Sequence, residues 1–253
     1  MIFSRTIIPR SIVWEVTGRC NQTCAHCYNV WTKPGASQPS DLPTESMFRI
    51  IDALKPISKK LNGLSFTGGE PLLRDDIIDL ISYARRQLPN ANLILATNGQ
   101  RLDADISNRI KESGISTIQL SLLSSKPDVH DEMTGLPGSF ESVMRAIASA
   151  RAAGLPTAVF FVATKRNIAD FPGAAKLAVA LGANGIVFNR FQPGGRGLLN
   201  WRELTPTRDQ VLTALGQIRA LRKITSVSLG TIIPPCESDG KEPIMQCPVG
   251  TRN

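Results

Sequence analysis

Short runs of β-branched and other apolar residues recur along the chain. Each is followed by polar or glycine-rich residues and then by apolar positions at helical spacing. The runs predict strands at 12–17, 64–67, 92–97, 117–121, 157–163 and 185–190. The helical spacing predicts helices over 44–55, 76–87, 104–113, 140–153 and 170–181. Thr44 suits the N-cap of the first helix, and Pro56 is expected to end or bend it. Gly114, Gly154 and Gly182 stand at helix-to-strand joins, where glycine accepts the left-handed backbone that stops a helix.

Six alternating strand–helix units imply a parallel sheet with helices outside. An open doubly wound sheet and a partly closed barrel both satisfy that pattern. In a barrel, chemistry collects on the loops after the strands' C-terminal ends. Those loops carry, in order, Cys20, Cys24 and Cys27; Gly68-Gly69-Glu70-Pro71; Asn98-Gly99; Ser121 to Ser124; Lys165 to Asn167; and Arg190 to Gly197. All the chemically suspicious residues fall at one mouth, which favours an α/β fold of the partial (β/α)6 TIM-type barrel kind. Beyond 197 the rhythm changes. A helix from Thr207 to about 223 and a strand at 226–229 are expected there, so 1–197 is read as the barrel and 198–253 as a short C-terminal extension.

With 253 residues, 42% of them hydrophobic, the chain can bury one substantial core. No apolar run reaches the length of a membrane span, the N-terminus lacks a signal-peptide pattern, and unpaired thiols suit the cytoplasm. A net charge of +8 raises the question of nucleic acid. Yet the basic residues are scattered near expected helix ends, aromatic content is only 6%, and no basic stretch is interleaved with aromatics. Solvated faces explain the charge better, and an acidic peptide or anionic substrate is compatible with it.

Three of the five cysteines, Cys20, Cys24 and Cys27, are spaced C-x3-C-x2-C directly after the first strand. Three thiolates hold three corners of an iron–sulfur cube and leave the fourth iron without a protein ligand in the loop. An open iron can bind a small molecule, whereas a fully ligated cube mainly carries electrons. The competing structural zinc site needs four closing ligands, and His26 is badly placed between Cys24 and Cys27 to supply one. A disulfide knot fits neither the odd count nor the missing secretory signal.

At these residues the chain resembles the radical S-adenosylmethionine (SAM) superfamily. The resemblance implies a [4Fe–4S] cluster on Cys20, Cys24 and Cys27, whose open iron is chelated by SAM. Reductive cleavage of SAM then gives a 5′-deoxyadenosyl radical that abstracts a substrate hydrogen. His26 stands where family members often place an aromatic ring near cluster and adenine. Gly68-Gly69-Glu70-Pro71 resembles the family's GGEP motif, which implies that Glu70 meets the SAM ammonium; the alternative is an ordinary turn. Ser121 is implied at the SAM ribose or carboxylate, against a serine that merely satisfies a strand end. Asn98 is implied near the ligand, though Asn-Gly is also a common turn pair. The stretch from His130 to Gly135 resembles the family's H-D-x-x-R-G, but Thr134 replaces the arginine that pairs with the SAM carboxylate. Lys165 or Arg190 is the expected substitute, and His130 is expected in a loop. The exit from the sixth strand resembles SPASM/twitch-type members, with backbone around Phe191 bordering the adenine. Arg196 there either faces an anionic substrate or belongs to a turn.

In that subgroup a cysteine pair like Cys236 and Cys247 begins the ligand set of an auxiliary [4Fe–4S] cluster. Two thiolates cannot complete a cube. The expectation is a shortened or incomplete auxiliary domain, with ordinary thiols as the alternative. The implied function is maturation of a ribosomal peptide through a thioether or carbon–carbon crosslink. Haem or quinone cofactor biosynthesis and sulfatase-type residue oxidation are the alternatives, and a non-catalytic iron–sulfur electron carrier is the reading from another class. A peptide or small-molecule substrate and an external electron donor are the expected partners. Because only about eleven residues precede the first strand, a separate leader-peptide-binding protein is expected too.

Overall fold

The computed structural model describes residues 9–29, 40–225 and 227–233. Seven parallel strands form one sheet in strictly sequential order: β1 (Ser11–Thr17), β2 (Gly63–Gly68), β3 (Asn92–Thr97), β4 (Thr117–Ser121), β5 (Thr157–Ala163), β6 (Gly185–Arg190) and β7 (Ser228–Ile232). Sequential order with right-handed crossovers sends every connection the same way and puts all the helices on one face. That excludes the doubly wound alternative, whose strand order reverses.

The connections hold α1 (Thr44–Ala53), α2 (Ile77–Gln87), α3 (Ala104–Glu112), α4 (Pro127–Thr134), α5 (Ser139–Ala152), α6 (Phe171–Ala180), α7 (Gly195–Leu199), α8 (Trp201–Leu204) and α9 (Arg208–Arg222). Pro56 falls in a 3₁₀ turn, Lys55–Ile57, just past the end of α1, as a missing N–H requires. Gly114, Gly154 and Gly182 follow α3, α5 and α6 with φ of 85°, 69° and 78°. Three expectations need correction. The N-cap of α1 is Pro43, because the Thr44 hydroxyl is taken by Asp76 at 2.7 Å. His130 is no loop residue but a buried member of α4, a helix the periodicity did not indicate. The last strand begins two residues later than expected and joins the main sheet, pairing with β6.

The two faces of the sheet differ in a way that positions the site. Leu64, Phe66, Leu93, Leu95, Ile118, Leu120, Phe161 and Phe188 are fully buried under the helices. Phe161, Phe171 and Phe188 form an aromatic cluster there, with ring centroids 5.1–6.3 Å apart. Alternate residues point the other way. From Val13 and Glu15 on β1 to Gly230 and Ile232 on β7, none of these inner-face residues is fully buried. The inner face is a lined, accessible floor beneath the mouth of the barrel.

Candidate functional site: a cysteine loop clamped at the barrel mouth

The cysteine loop leaves β1 at Thr17 and runs to Asn29, and three distant segments hold its backbone. After β2, Gly69 N–H donates to Thr17 O and Glu70 N–H to Arg19 O, both at 2.7 Å. A Cβ at position 69 would overlap the Arg19 carbonyl. At the end of α4, Thr23 N–H donates to Thr134 O and Ala25 N–H to Met133 O, both at 3.0 Å. After β6, Gly197 N–H donates to Cys27 O at 2.9 Å, the Arg196 guanidinium to Cys24 O at 3.0 Å, and the Asn200 amide to Ala25 O at 3.1 Å. Asn29 closes the circuit by donating from its side-chain amide to Gly68 O at 2.6 Å. The loop has no regular structure of its own, so these bonds define its shape.

Glu70 is the buried brace of the mouth, 1% exposed. Its carboxylate accepts from Leu72 N–H at 3.0 Å, the Thr97 hydroxyl at 2.6 Å and Asn98 N–H at 2.7 Å. Burial pushes the carboxyl up, and the three donors oppose that. Asn98 in turn donates from its amide to Asn21 Oδ1 at 2.7 Å, so the turn after β3 is tied to the cysteine loop.

The thiols lie within one another's fields. Burial, then the neighbouring Cys20 and Cys27, push Cys24 up to about 12, while Arg196 pulls it down. Burial also raises Cys20, with Glu70 and Cys27 adding to it. Iron is held by thiolates, and a cationic centre supplies the charge that favours them. Among the described residues no three Cys, His, Asp or Glu side chains converge on a single ion. A four-iron cube, whose corner irons stand apart, asks for no such convergence. The three soft donors on one braced loop therefore suit an iron–sulfur cluster. His26 is pushed down to about 4 by burial and by the nearby charges of His130 and Arg196, and its Nδ1 is buried without a partner.

The remaining expected site residues are spread around the same mouth. Ser121 ends β4 on the inner face. Lys165 is exposed, and its N–H donates to Leu204 O. Arg190 donates from Nη1 to Phe191 O at 2.6 Å. The Phe191 ring is 1% exposed and packs against Gly197, so it supports the cysteine loop from behind. Thr134 bonds Asp131 O and the Ser139 hydroxyl and faces the corner between α4 and α5. Cys236 and Cys247 lie outside the described residues.

Further residues shape the mouth in roles that no motif indicated. Asp131 accepts from Gly138 N–H, the Ser139 hydroxyl and Phe140 N–H, which fixes the corner whose carbonyls receive the cysteine loop. Arg166 bridges Glu132 and Glu203, both at 2.7 Å. On the inner face Tyr28 lies close enough to Glu15 and Thr67 for its phenol and the Glu15 carboxyl to influence each other. Strand alternation was the available signal for Glu15, since Ile12, Trp14 and Val16 take the opposite face.

Residues 14–178 match the radical SAM superfamily, a span that takes in the end of β1, the cysteine loop, Gly68 to Glu70 and strands β2 to β5. The chain belongs to the radical SAM superfamily. It is an enzyme of radical chemistry, and the family implies a [4Fe–4S] cluster and SAM. The radical SAM chain is 32% identical over 197 residues to the AdoMet-dependent heme synthase of Methanosarcina barkeri, covering 78% of this chain and 54% of that one. It is 32% identical over 203 residues to the mycofactocin maturase MftC of Mycobacterium tuberculosis, covering 80% and 50%. It thus spans about half the length of the curated relatives it matches. Streptococcus suis SuiB bound to S-adenosylmethionine shares the fold at a TM-score of 0.72 and 15% identity, over 88% of this chain and 50% of that one. No helix among the described residues is long and apolar enough to cross a membrane.

Proposed function

We propose that this radical SAM chain generates the radical for maturation of a ribosomal peptide through a thioether or carbon–carbon crosslink. The observation that carries the reading is the cysteine loop clamped over an accessible inner face. The similarity to the maturase MftC supports the peptide as substrate. When bound, the cluster supplies the electron that cleaves SAM to a 5′-deoxyadenosyl radical for hydrogen abstraction.

The chain's own residues have defined parts in this reading. Cys20, Cys24 and Cys27 hold the cluster, and the clamp fixes their spacing. Gly68 and Gly69 let SAM approach the backbone beside Glu70, whose carboxylate receives the SAM ammonium in addition to its three protein donors. Asn98 and Ser121 border the ligand, and His26 lies beside cluster and adenine. Lys165 or Arg190 meets the SAM carboxylate, and backbone at Phe191 flanks the adenine. Residues 198–253 begin an auxiliary-cluster domain to which Cys236 and Cys247 contribute. An external reductant completes the system, which operates in the cytoplasm.

The equal identity to a heme synthase favours one second reading, a tetrapyrrole substrate in place of a peptide. Anaerobic reconstitution with SAM and dithionite tests the reaction. Wild type is expected to form 5′-deoxyadenosine and Cys24→Ala to form none; equal yields would overturn the reading. Mass spectrometry of products from a precursor peptide and from a haem precursor then separates the two substrates.

A further inference from the structure

Glu15 is the one ionisable side chain on the inner face of the seven described strands. Its companions there are Val13; Ser65 and Thr67; Ile94 and Ala96; Gln119 and Ser121; Phe160 and Val162; Val187 and Asn189; and Ile232, with glycines and the strand-end residues Ser11, Asn92, Thr117, Ala158 and Ser228. All of these are neutral. A carboxylate on an otherwise neutral floor is not explained by the fold, whose core lies on the opposite face of the sheet.

Its setting is built rather than incidental. Glu15 and Thr67 are paired across β1 and β2, one step before the register shifts towards Thr17 and Gly68. Tyr28, the residue after Cys27, lies beside that pair, close enough for its phenol and the Glu15 carboxyl to influence each other. The backbone of Tyr28 is backed by Gly194 and Gly195, where a Cβ would crowd it. The end of the cysteine loop therefore stands beside the carboxylate. No lysine or arginine among the described residues forms an ion pair with Glu15, although the chain as a whole carries an excess of eight positive charges. The acceptor capacity of the carboxylate faces the open floor.

We propose that Glu15, beside Tyr28 and Thr67, is a substrate subsite that binds a cationic group, an ammonium or guanidinium. It thereby sets which part of the substrate rests beneath the radical source. This rests on the reading of the chain as a radical SAM enzyme acting on a peptide, and narrows it: the segment presented at the mouth carries a basic side chain. A charge-assisted bond on a rigid strand supplies both attraction and orientation for hydrogen abstraction.

The test is isothermal titration of the reconstituted, SAM-loaded protein with N-acetyl-Gly-Lys-Gly-amide and with its acetyl-lysine counterpart. The lysine peptide is expected to bind at least tenfold more tightly than the acetylated one, and Glu15→Gln to abolish that difference. Equal binding of the two peptides by wild type, or an undiminished preference in Glu15→Gln, overturns the subsite. SAM titrated into both proteins separates a substrate cation from the SAM sulfonium. A loss of SAM affinity in Glu15→Gln as large as the loss of peptide affinity reassigns Glu15 to SAM and overturns the proposal too. Binding is read without turnover, so a protein that fails to cleave SAM still reports on Glu15.

Discussion

Gly135 lies directly against Thr23, with no room for a Cβ between them, at the point where the end of α4 receives the cysteine loop. Its φ of 68° adds a second reason for glycine. Gly135→Ala should therefore displace the loop and lower iron incorporation on reconstitution, read as absorbance near 400 nm and as iron per chain. Left-handed backbone alone costs an alanine about 1–2 kcal/mol. A companion Thr23→Ala removes the overlap but not the backbone cost, so the double variant should recover part of the iron content. Full iron content in Gly135→Ala alone would contradict the close approach.

Glu70 gives a prediction that separates bracing from ligand binding. Alanine there leaves three donors, Leu72 N–H, the Thr97 hydroxyl and Asn98 N–H, without their acceptor. Each buried orphan costs about 1–3 kcal/mol. Glu70→Ala should lose at least about 3 kcal/mol in urea unfolding even without SAM present. Glu70→Gln keeps an acceptor oxygen and should lose less, yet bind SAM more weakly than wild type. Equal stability of Glu70→Ala and wild type would remove the brace.

Arg74 is a buried clasp, 5% exposed, with two bonds to Asp76 at 2.8 and 2.7 Å and others to Val16 O and Leu42 O. A fork of donors makes this geometry, and an ammonium does not reproduce it. Arg74→Met leaves Asp76 without its cation and should cost about 3–5 kcal/mol. Arg74→Lys should recover less than half of that. Chemical denaturation of the three proteins measures both.

His130 sets a pH dependence. Burial lowers it from 6.5 to about 4, and its Nδ1 accepts from Leu123 N–H. The unfolded chain therefore binds this proton first, and stability rises with pH between those two values. The full difference corresponds to roughly 3 kcal/mol, lost as pH falls from 6.5 towards 4. Thermal melting of the cluster-free protein should show this loss, and His130→Gln should flatten it. An unchanged slope in His130→Gln would show that another group carries the dependence.

The strands and their common mouth were legible because each strand is a short apolar run closed by glycine or polar residues. The cysteine loop was legible from its spacing. What escaped depended on partners far along the chain. Thr44 has the chemistry of an N-cap, but Asp76, which takes its hydroxyl, is visible only after folding. The segment of α4 is eight residues long, with few apolar positions to mark it. The burial of the Phe191 ring was not legible in its glycine-rich exit, because α7 turns back over it. The bracing role of Glu70 was not legible, because its donors Thr97 and Asn98 belong to the next strand's exit.

The clamp on the cysteine loop also sets an order of assembly. The thiols leave the ribosome before the segments that shape their loop, which arrive only with Gly69, Gly135 and Asn200. Until most of the barrel has been synthesised, the loop is three cysteines on an unshaped chain. Iron loading thus waits on the arrival of residue 200, and a nascent chain stalled before it offers its thiols to oxidation and to stray metals before it can offer them to a cluster.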